Sequence, residues 1–279
     1  MNKTKRKNLP YLLGDILGVL FAAVIFIIPF LFMFVNSLKD RQEASLLSLK
    51  WPEIMQWENY KEVLMTDNGI LLISFKNSLL ITLGSVLILI ITCAMAGYVL
   101  QRRNDKISSL ISGLLLTGLM VPPAIMPTIW LLQGINLYKT KIAMILIEVA
   151  LQAPFTVMLY RGFMSSIPRE IEEAGYIDGC NRVNLFARII FPLLKPITAS
   201  VIILNSVTIF NDFQNPLYFL PGRDNSTVQL TLYNFMGRYS NSYNLLFADV
   251  ILITIPMLIL FIFFNRKIVD GMVAGSVKA

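Results

Sequence analysis

The amino-acid sequence predicts an all-α membrane protein with six transmembrane helices, on three observations. Of its 279 residues, 56% are apolar and only 15% charged, against about 25% charge in an ordinary soluble domain. Six apolar runs are each long enough to cross a bilayer core of ~30 Å, which takes about 20 residues of helix. Every Lys and Arg falls outside those runs.

In chain order the runs are Leu12–Asn36, Asn77–Leu100, Ile107–Leu132, Ile142–Tyr160, Ile197–Leu220 and Leu245–Asn265. The first exceeds a signal-peptide h-region and no A-x-A cleavage site follows it, so it reads as a span. Prolines interrupt several: Pro29 in the first, Pro122, Pro123 and Pro127 in the third, Pro154 in the fourth and Pro216 in the fifth. Each removes a backbone donor and kinks or opens its helix. Such breaks belong in a protein interior or beside a water-filled cavity, since lipid cannot pair the freed carbonyls. That pattern favours a moving or cavity-forming bundle over a passive anchor. No linker or internal repeat divides the chain, so residues 1–279 read as one membrane domain, with a core over 77–265 and a tail over 266–279.

Orientation follows from the bases. With the N-terminus inside, the inner segments hold four, three, five and three Lys or Arg, fifteen of the 24, and the outer loops nine. The short N-terminal segment (Lys3, Lys5, Arg6, Lys7) and the short loop with Arg102, Arg103 and Lys106 are dense in base, and short basic loops set topology. Both termini are therefore expected to be cytoplasmic, in a multi-pass protein of a plasma membrane.

Composition also excludes. Without histidine there is no Ser-His-Asp triad, Cys-His dyad or His-ligated metal, and no metal site is expected. Cys93 and Cys180 form no CxxC. The net charge of +7 comes from bases that punctuate apolar runs, not from a basic face that would suit nucleic acid. No G-x-x-x-x-G-K-[ST] occurs, so the chain has no phosphate-cradling loop and binds no cofactor of its own; it does not read as an enzyme.

The connection Arg161–Pro196, between the fourth and fifth spans, is far longer than packing needs and carries helix signals. Pro168 suits a first helical turn, Ser166 can cap it, and Glu170, Glu172 and Glu173 complement its N-terminus. Ile167, Ile171, Ala174 and Gly175 share a face. Gly179 can end the helix in a left-handed conformation, and a second helix runs from about Asn181 to Phe191, ended by Pro192 and Pro196. The small pair Ala174-Gly175 allows close approach of another backbone, which suits docking of a soluble partner. The alternative is an amphipathic helix lying on the membrane; such helices usually carry Lys and Arg on their polar face, whereas this one is acidic.

Glu173-Ala174-Gly175, three residues, Gly179, nine residues, then Ile189-Ile190-Phe191-Pro192 resembles the EAA loop of ATP-binding-cassette importer permeases, E-A-A-x3-G-x9-I-x-L-P, with Gly175 and Phe191 departing from it. Ala94-Met95-Ala96-Gly97-Tyr98 with Arg102, Asn211-Asp212-Phe213 with Pro216, and the tail from Arg266 to Lys278 resemble the carbohydrate-uptake branch, the maltose and multiple-sugar permeases. The likeness spans roughly residues 77–279, and the chain looks like the smaller permease of such systems. It implies half of a heterodimeric pore, paired with a second homologous permease, two copies of an ATPase that uses ATP and Mg, and an extracellular solute-binding protein that delivers an oligosaccharide. The implied ATPase-coupling residues are Glu173, Ala174, Gly175, Asp178, Gly179, Ile189 and Pro192, with Gly275 and Lys278 as tail contacts.

Glu148, Asp212 and Asp249 lie inside the fourth, fifth and sixth spans. At 1.5 Å per residue Glu148 and Asp249 lie about 9 Å and 6 Å from the outer ends of their helices, and Asp212 about 22 Å above its inner end. With Asn211 they form a candidate translocation pathway, where carboxylates accept sugar hydroxyls. The alternative is a bracing role near helix ends, with Asn211 and Gln152 as partners. A rival reading for the whole chain, an ion-coupled secondary transporter, would use such acids as coupling sites but predicts two related halves, which the sequence lacks.

Overall fold

The computed structural model describes residues 9–237 and 241–276, with side chains from 14 to 263 in those stretches. Among them there is no β-strand, only one isolated bridge between Met236 and Asn241. The order is α1 (Leu9–Ser37), α2 (Arg41–Ser45), α3 (Glu58–Arg102), α4 (Lys106–Met120), α5 (Ile125–Gly134), α6 (Lys141–Met164) and α7 (Glu170–Ile177). Then α8 (Arg182–Asn184) runs through a π-helical stretch, Leu185–Ile190, into α9 (Phe191–Leu193). The chain continues through α10 (Lys195–Phe210), α11 (Gln214–Phe219), α12 (Val228–Thr231) and α13 (Tyr243–Ser276). Four helices are long and apolar enough to cross a membrane, and up to six crossings result if each of two bent pairs counts as one.

Four expected spans come out differently. The third is broken: α4 and α5 meet at 115° across Val121-Pro122-Pro123-Ala124, because two successive prolines remove adjacent N–H donors and bar αR at the residue before each. The second begins at Glu58, well before Asn77, although Thr66, Asp67, Asn68 and Gly69 leave helical geometry within it. The fifth stops at Phe210, leaves Asn211–Phe213 outside any helix and resumes as α11. The sixth runs on to Ser276 without fraying after Asn265, and it contains Pro256, a further proline beyond those expected to kink a span. Lys278 lies outside the described residues, as do Lys3, Lys5, Arg6 and Lys7.

Contacts divide the chain into two compact units, residues 1–69 with 231–254 and residues 70–230 with 255–279. In the first, α1 exposes Leu17, Val19, Phe21 and Phe26 around its circumference, as a helix that is apolar all round does when lipid is its solvent. Its end is fixed by polar bonds: Asn59 Nδ2 donates to the Ser37 and Lys39 carbonyls at 2.8 and 2.9 Å. Lys39 is buried and donates to the Ser48 carbonyl at 2.6 Å; burial pulls its ammonium below the usual lysine range, against the pull of Glu43.

The second unit packs Leu89, Ala94, Met144, Tyr160, Met164, Leu185, Ile190, Leu194 and Val201 into one core. Helices α6 and α10 are joined by Asn205 Nδ2 donating to Thr156 Oγ1 at 3.2 Å and Tyr160 Oη donating to Thr198 Oγ1 at 3.1 Å, small interhelical bonds of the kind that hold membrane helices together. Asp105 caps α4, its carboxylate accepting from the Ser108 N–H at 2.7 Å, and hydrogen bonding from the Ser108 side chain, then from its backbone, holds the carboxyl below its ordinary value.

Candidate functional site

The segment after α6 folds into a helical hairpin. Helix α7 opens with Glu170, Glu172 and Glu173 in its first turn, where acids favour the exposed N–H groups. The expected cap is absent: Ser166 Oγ donates to the Phe163 carbonyl at 2.8 Å, so it is bound to the turn behind it. The helix starts at Glu170, two residues beyond Pro168. At its end, Gly179 has φ +81°, Cys180 N–H donates to the Gly175 carbonyl at 3.0 Å and Gly179 N–H to the Tyr176 carbonyl at 3.1 Å. This pair of bonds is the Schellman closure, which needs the left-handed residue that Gly179 supplies. Asn181 then caps the returning helix, accepting from the Asn184 N–H at 2.8 Å. The π-helical turn Leu185–Ile190 ends two residues before Pro192, whose missing N–H disrupts the regular bond pattern there.

Gly175 has a different neighbour from the one expected of it. A Cβ there would sit 2.5 Å from Leu185 Cδ1 and 2.9 Å from Ile189 Cδ1, so the close approach it permits is to the hairpin's own second arm. Ile189 therefore closes the hairpin together with Gly175. Glu173, Ala174, Asp178 and Gly179 point outward, with Pro192 exposed farther along. Ile177 and Val183 are 86% and 74% exposed, an apolar tip flanked by acids.

The residue that ties this hairpin to the rest of the unit was missed by the sequence reading. Glu172, beside Glu173, is buried and its carboxylate accepts from Tyr98 Oη at 3.0 Å and from Arg102 Nε. Arg102 Nη2 also donates to the Ile167 carbonyl at 2.9 Å, and Arg169 Nη2 returns to the Arg102 carbonyl at 3.5 Å. The last turn of α3 thus grips both ends of the linker into α7.

Within the same unit, Glu148 on α6 is 1% exposed and meets the Asp212 carboxyl and the Gln152 side chain. Asp212 lies in the gap between α10 and α11, where one oxygen accepts from the Asn215 N–H in the first turn of α11 at 3.3 Å. Pro216 has no N–H to return to the Asp212 carbonyl. Glu148 Oε1 and Asp212 Oδ2 have no hydrogen-bond partner among the described residues. Asn211 accepts from Gln229 Nε2 at 2.9 Å and donates to the Val207 carbonyl at 2.9 Å. Asp249 belongs to the other unit, where it is fully buried and accepts from Thr231 Oγ1 at 2.8 Å. The four expected pathway residues therefore split into a facing pair, Glu148 and Asp212, an adjacent amide, Asn211, and a separate acid, Asp249, bonded to Thr231 through one oxygen and unpartnered among the described residues at the other. Buried carboxyl oxygens without donors are costly, and hydroxyl groups are the donors that relieve them.

Residues 88–273 match the family model of the binding-protein-dependent transport system inner membrane component. The chain is 34% identical over 256 residues to the melibiose/raffinose/stachyose import permease protein MelC of Bacillus subtilis, covering 90% of this chain and 91% of that protein. It is 31% identical over 261 residues to the multiple sugar-binding transport system permease protein MsmG of Streptococcus mutans, covering 91% and 93%. Among solved structures, a bacterial ABC transporter involved in import of the acidic polysaccharide alginate superposes with a TM-score of 0.78 at 17% identity, covering 95% of this chain and 98% of that one; that likeness bears on the fold.

Proposed function

Since this chain belongs to the family of binding-protein-dependent transport system inner membrane components, we propose that it is one permease subunit of an ATP-driven oligosaccharide importer. The sugars for which MelC and MsmG are named support the sugar class. In this reading residues 1–279 act as one permease domain that crosses the membrane six times, α4 with α5 forming one crossing and α10 with α11 another. Both termini and the α7–α9 hairpin lie on the cytoplasmic side, in keeping with the base count. The subunit pairs with a second, homologous permease to form the pathway. Two copies of a separate ATPase hydrolyse ATP with Mg, and an extracellular binding protein delivers the sugar. The chain itself performs no catalysis and binds no cofactor.

The observation that carries the reading is the hairpin. Its own packing is complete inside, through Gly175, Leu185 and Ile189, yet its tip leaves Ile177 bare beside Glu173 and Asp178. Covering an isoleucine side chain contributes about 2 kcal/mol, so a groove on the ATPase that takes Ile177 and meets the acids gains both affinity and register. Gly179 sets the turn, and Pro192 and the 75° bend between α9 and α10 pass motion of the hairpin into the membrane. The tail around Gly275 and Lys278 adds a second contact with the ATPase pair. Glu148, Asn211, Asp212 and Asp249 are assigned to the pathway, the first three as acceptors for sugar hydroxyls. The test is purification of the tagged chain from native membranes: a second EAA-loop permease and a doubled amount of one ATPase should accompany it. A chain that purifies without either and moves sugar on an ion gradient alone would overturn the proposal.

A further inference from the structure

A cavity of about 490 Å³ lies between the end of α3 and the hairpin. One wall is apolar: Met95 and Val99, one helical turn apart on α3, are 51% and 42% exposed, so this wall continues the bare surface of the span. The rings of Tyr98 and Phe186, with centroids 5.5 Å apart, form its back. Aromatic side chains sit preferentially at this junction of hydrocarbon and headgroup. At the polar end three guanidinium groups line the cavity, Arg102, Arg103 and Arg182, and no carboxylate does. Arg102 is held by Glu172, and Arg103 reaches Asp105 at 3.2 Å with both side chains substantially exposed. Arg182 has no ion-pair partner among the described residues. Counting both neighbouring acids, the polar end keeps a net positive charge.

An apolar wall open to the span, an aromatic rim and a cationic end complement an anionic amphiphile. We propose that the cavity binds an anionic membrane phospholipid, with its phosphate against Arg103 and Arg182 and an acyl chain along Met95 and Val99. Inorganic phosphate satisfies the arginines and leaves the apolar wall bare; a zwitterionic lipid fills the wall and carries a compensating cation among three arginines. Basic pockets at the cytoplasmic ends of membrane helices have this selectivity. The assignment rests on the topology proposed above, which places the end of α3 in the cytoplasmic leaflet, where anionic lipids act. By holding α3 and the hairpin together, the lipid would make coupling sensitive to membrane composition.

The test is native mass spectrometry of the intact transporter complex in mild detergent, titrated with phosphatidylglycerol or phosphatidylcholine. Wild type should retain phosphatidylglycerol in preference to phosphatidylcholine. In the double variant Arg103→Gln, Arg182→Gln that retention should weaken roughly 30-fold, about fivefold for each arginine, with phosphatidylcholine unchanged. Both side chains are exposed on the surface, so the variant should fold. Equal retention in the variant overturns the proposal. So does displacement of the lipid by millimolar inorganic phosphate, which would make the cavity a free-phosphate site. Loss of the ATPase from the variant complex with lipid retention intact would assign the arginines to that partner. Micelles present headgroups to every face, so the result is independent of topology, which cysteine labelling tests separately.

Discussion

Glu172→Gln is the sharpest perturbation of the hairpin, because it keeps side-chain shape and removes one charge. The carboxylate and its Arg102 partner are 12% and 14% exposed, so solvent screens them only slightly. The amide retains one acceptor oxygen for two donors, Tyr98 Oη and Arg102 Nε, and turns an NH2 toward the other. Hydrogen bonds to charged groups contribute about 1.5–3 kcal/mol, and taking ~2 kcal/mol gives a roughly 30-fold rise in local opening. Hydrogen exchange of the amides from Glu172 to Cys180, measured in the assembled complex, reads this directly. Glu173→Gln is the internal control: that side chain is exposed, so its loss should leave exchange unchanged while weakening ATPase retention. ATP hydrolysis per sugar transported should rise in Glu172→Gln. Exchange within threefold of wild type would refute the anchor, and with it the view that the end of α3 holds the hairpin in register.

Gly179→Leu should uncouple hydrolysis from transport. The position is sterically open, so the cost is the left-handed backbone alone, about 1–2 kcal/mol; Gly179→Asn should be tolerated, and normal coupling in the leucine variant would remove the turn from the mechanism. Asp212→Asn keeps an acceptor oxygen for the Asn215 N–H and removes the charge, so sugar transport should fall about tenfold, the worth of one charge-assisted bond; an unchanged rate and affinity would move recognition to the partner permease. Ser166→Cys, at an exposed position between α6 and α7, should react with an impermeant thiol reagent only in permeabilised cells, and labelling from outside would reverse the topology.

Much of this was legible in the residues, and the rest failed for identifiable reasons. The span expected at Leu12–Asn36 is α1 at Leu9–Ser37, and that at Ile142–Tyr160 is α6 at Lys141–Met164, since hydropathy is what makes these helices. It could not find the start of α3 at Glu58, where Glu58, Lys61 and Glu62 form a polar helical turn. Nor does a pair of prolines announce whether a span kinks or turns by 115°. Gly179 was readable because few residues other than glycine take φ +81°. Glu172 was hidden by distance: its partner Arg102 is 70 residues away. A helical wheel held a clue, however. At about 100° per residue, Glu172 lies about 60° from Gly175 on the buried face and Glu173 about 160°, so the two acids belong to different surfaces.

The connectivity of the second unit links its two ends. The hairpin is inserted between α6 and α10, which are bonded to each other through Thr156, Asn205, Tyr160 and Thr198. Glu148 lies sixteen residues before the end of α6, about 24 Å along its axis, and Asp212 lies just past the far end of α10, about 25 Å from its start. The acids therefore meet at the ends of the two helices that flank the hairpin. A relative tilt of about 5° between arms of that length moves their tips by about 2 Å, enough to break a hydrogen bond. A rigid hairpin transmits such a tilt, and a loosened one absorbs it. Glu172→Gln and Asp212→Asn should therefore leave opposite signatures: the first raises ATP use per sugar at unchanged apparent affinity, and the second lowers affinity at unchanged coupling. If both variants shift the same parameter, the two sites are not opposite ends of one lever, and the hairpin acts on the pathway by another route.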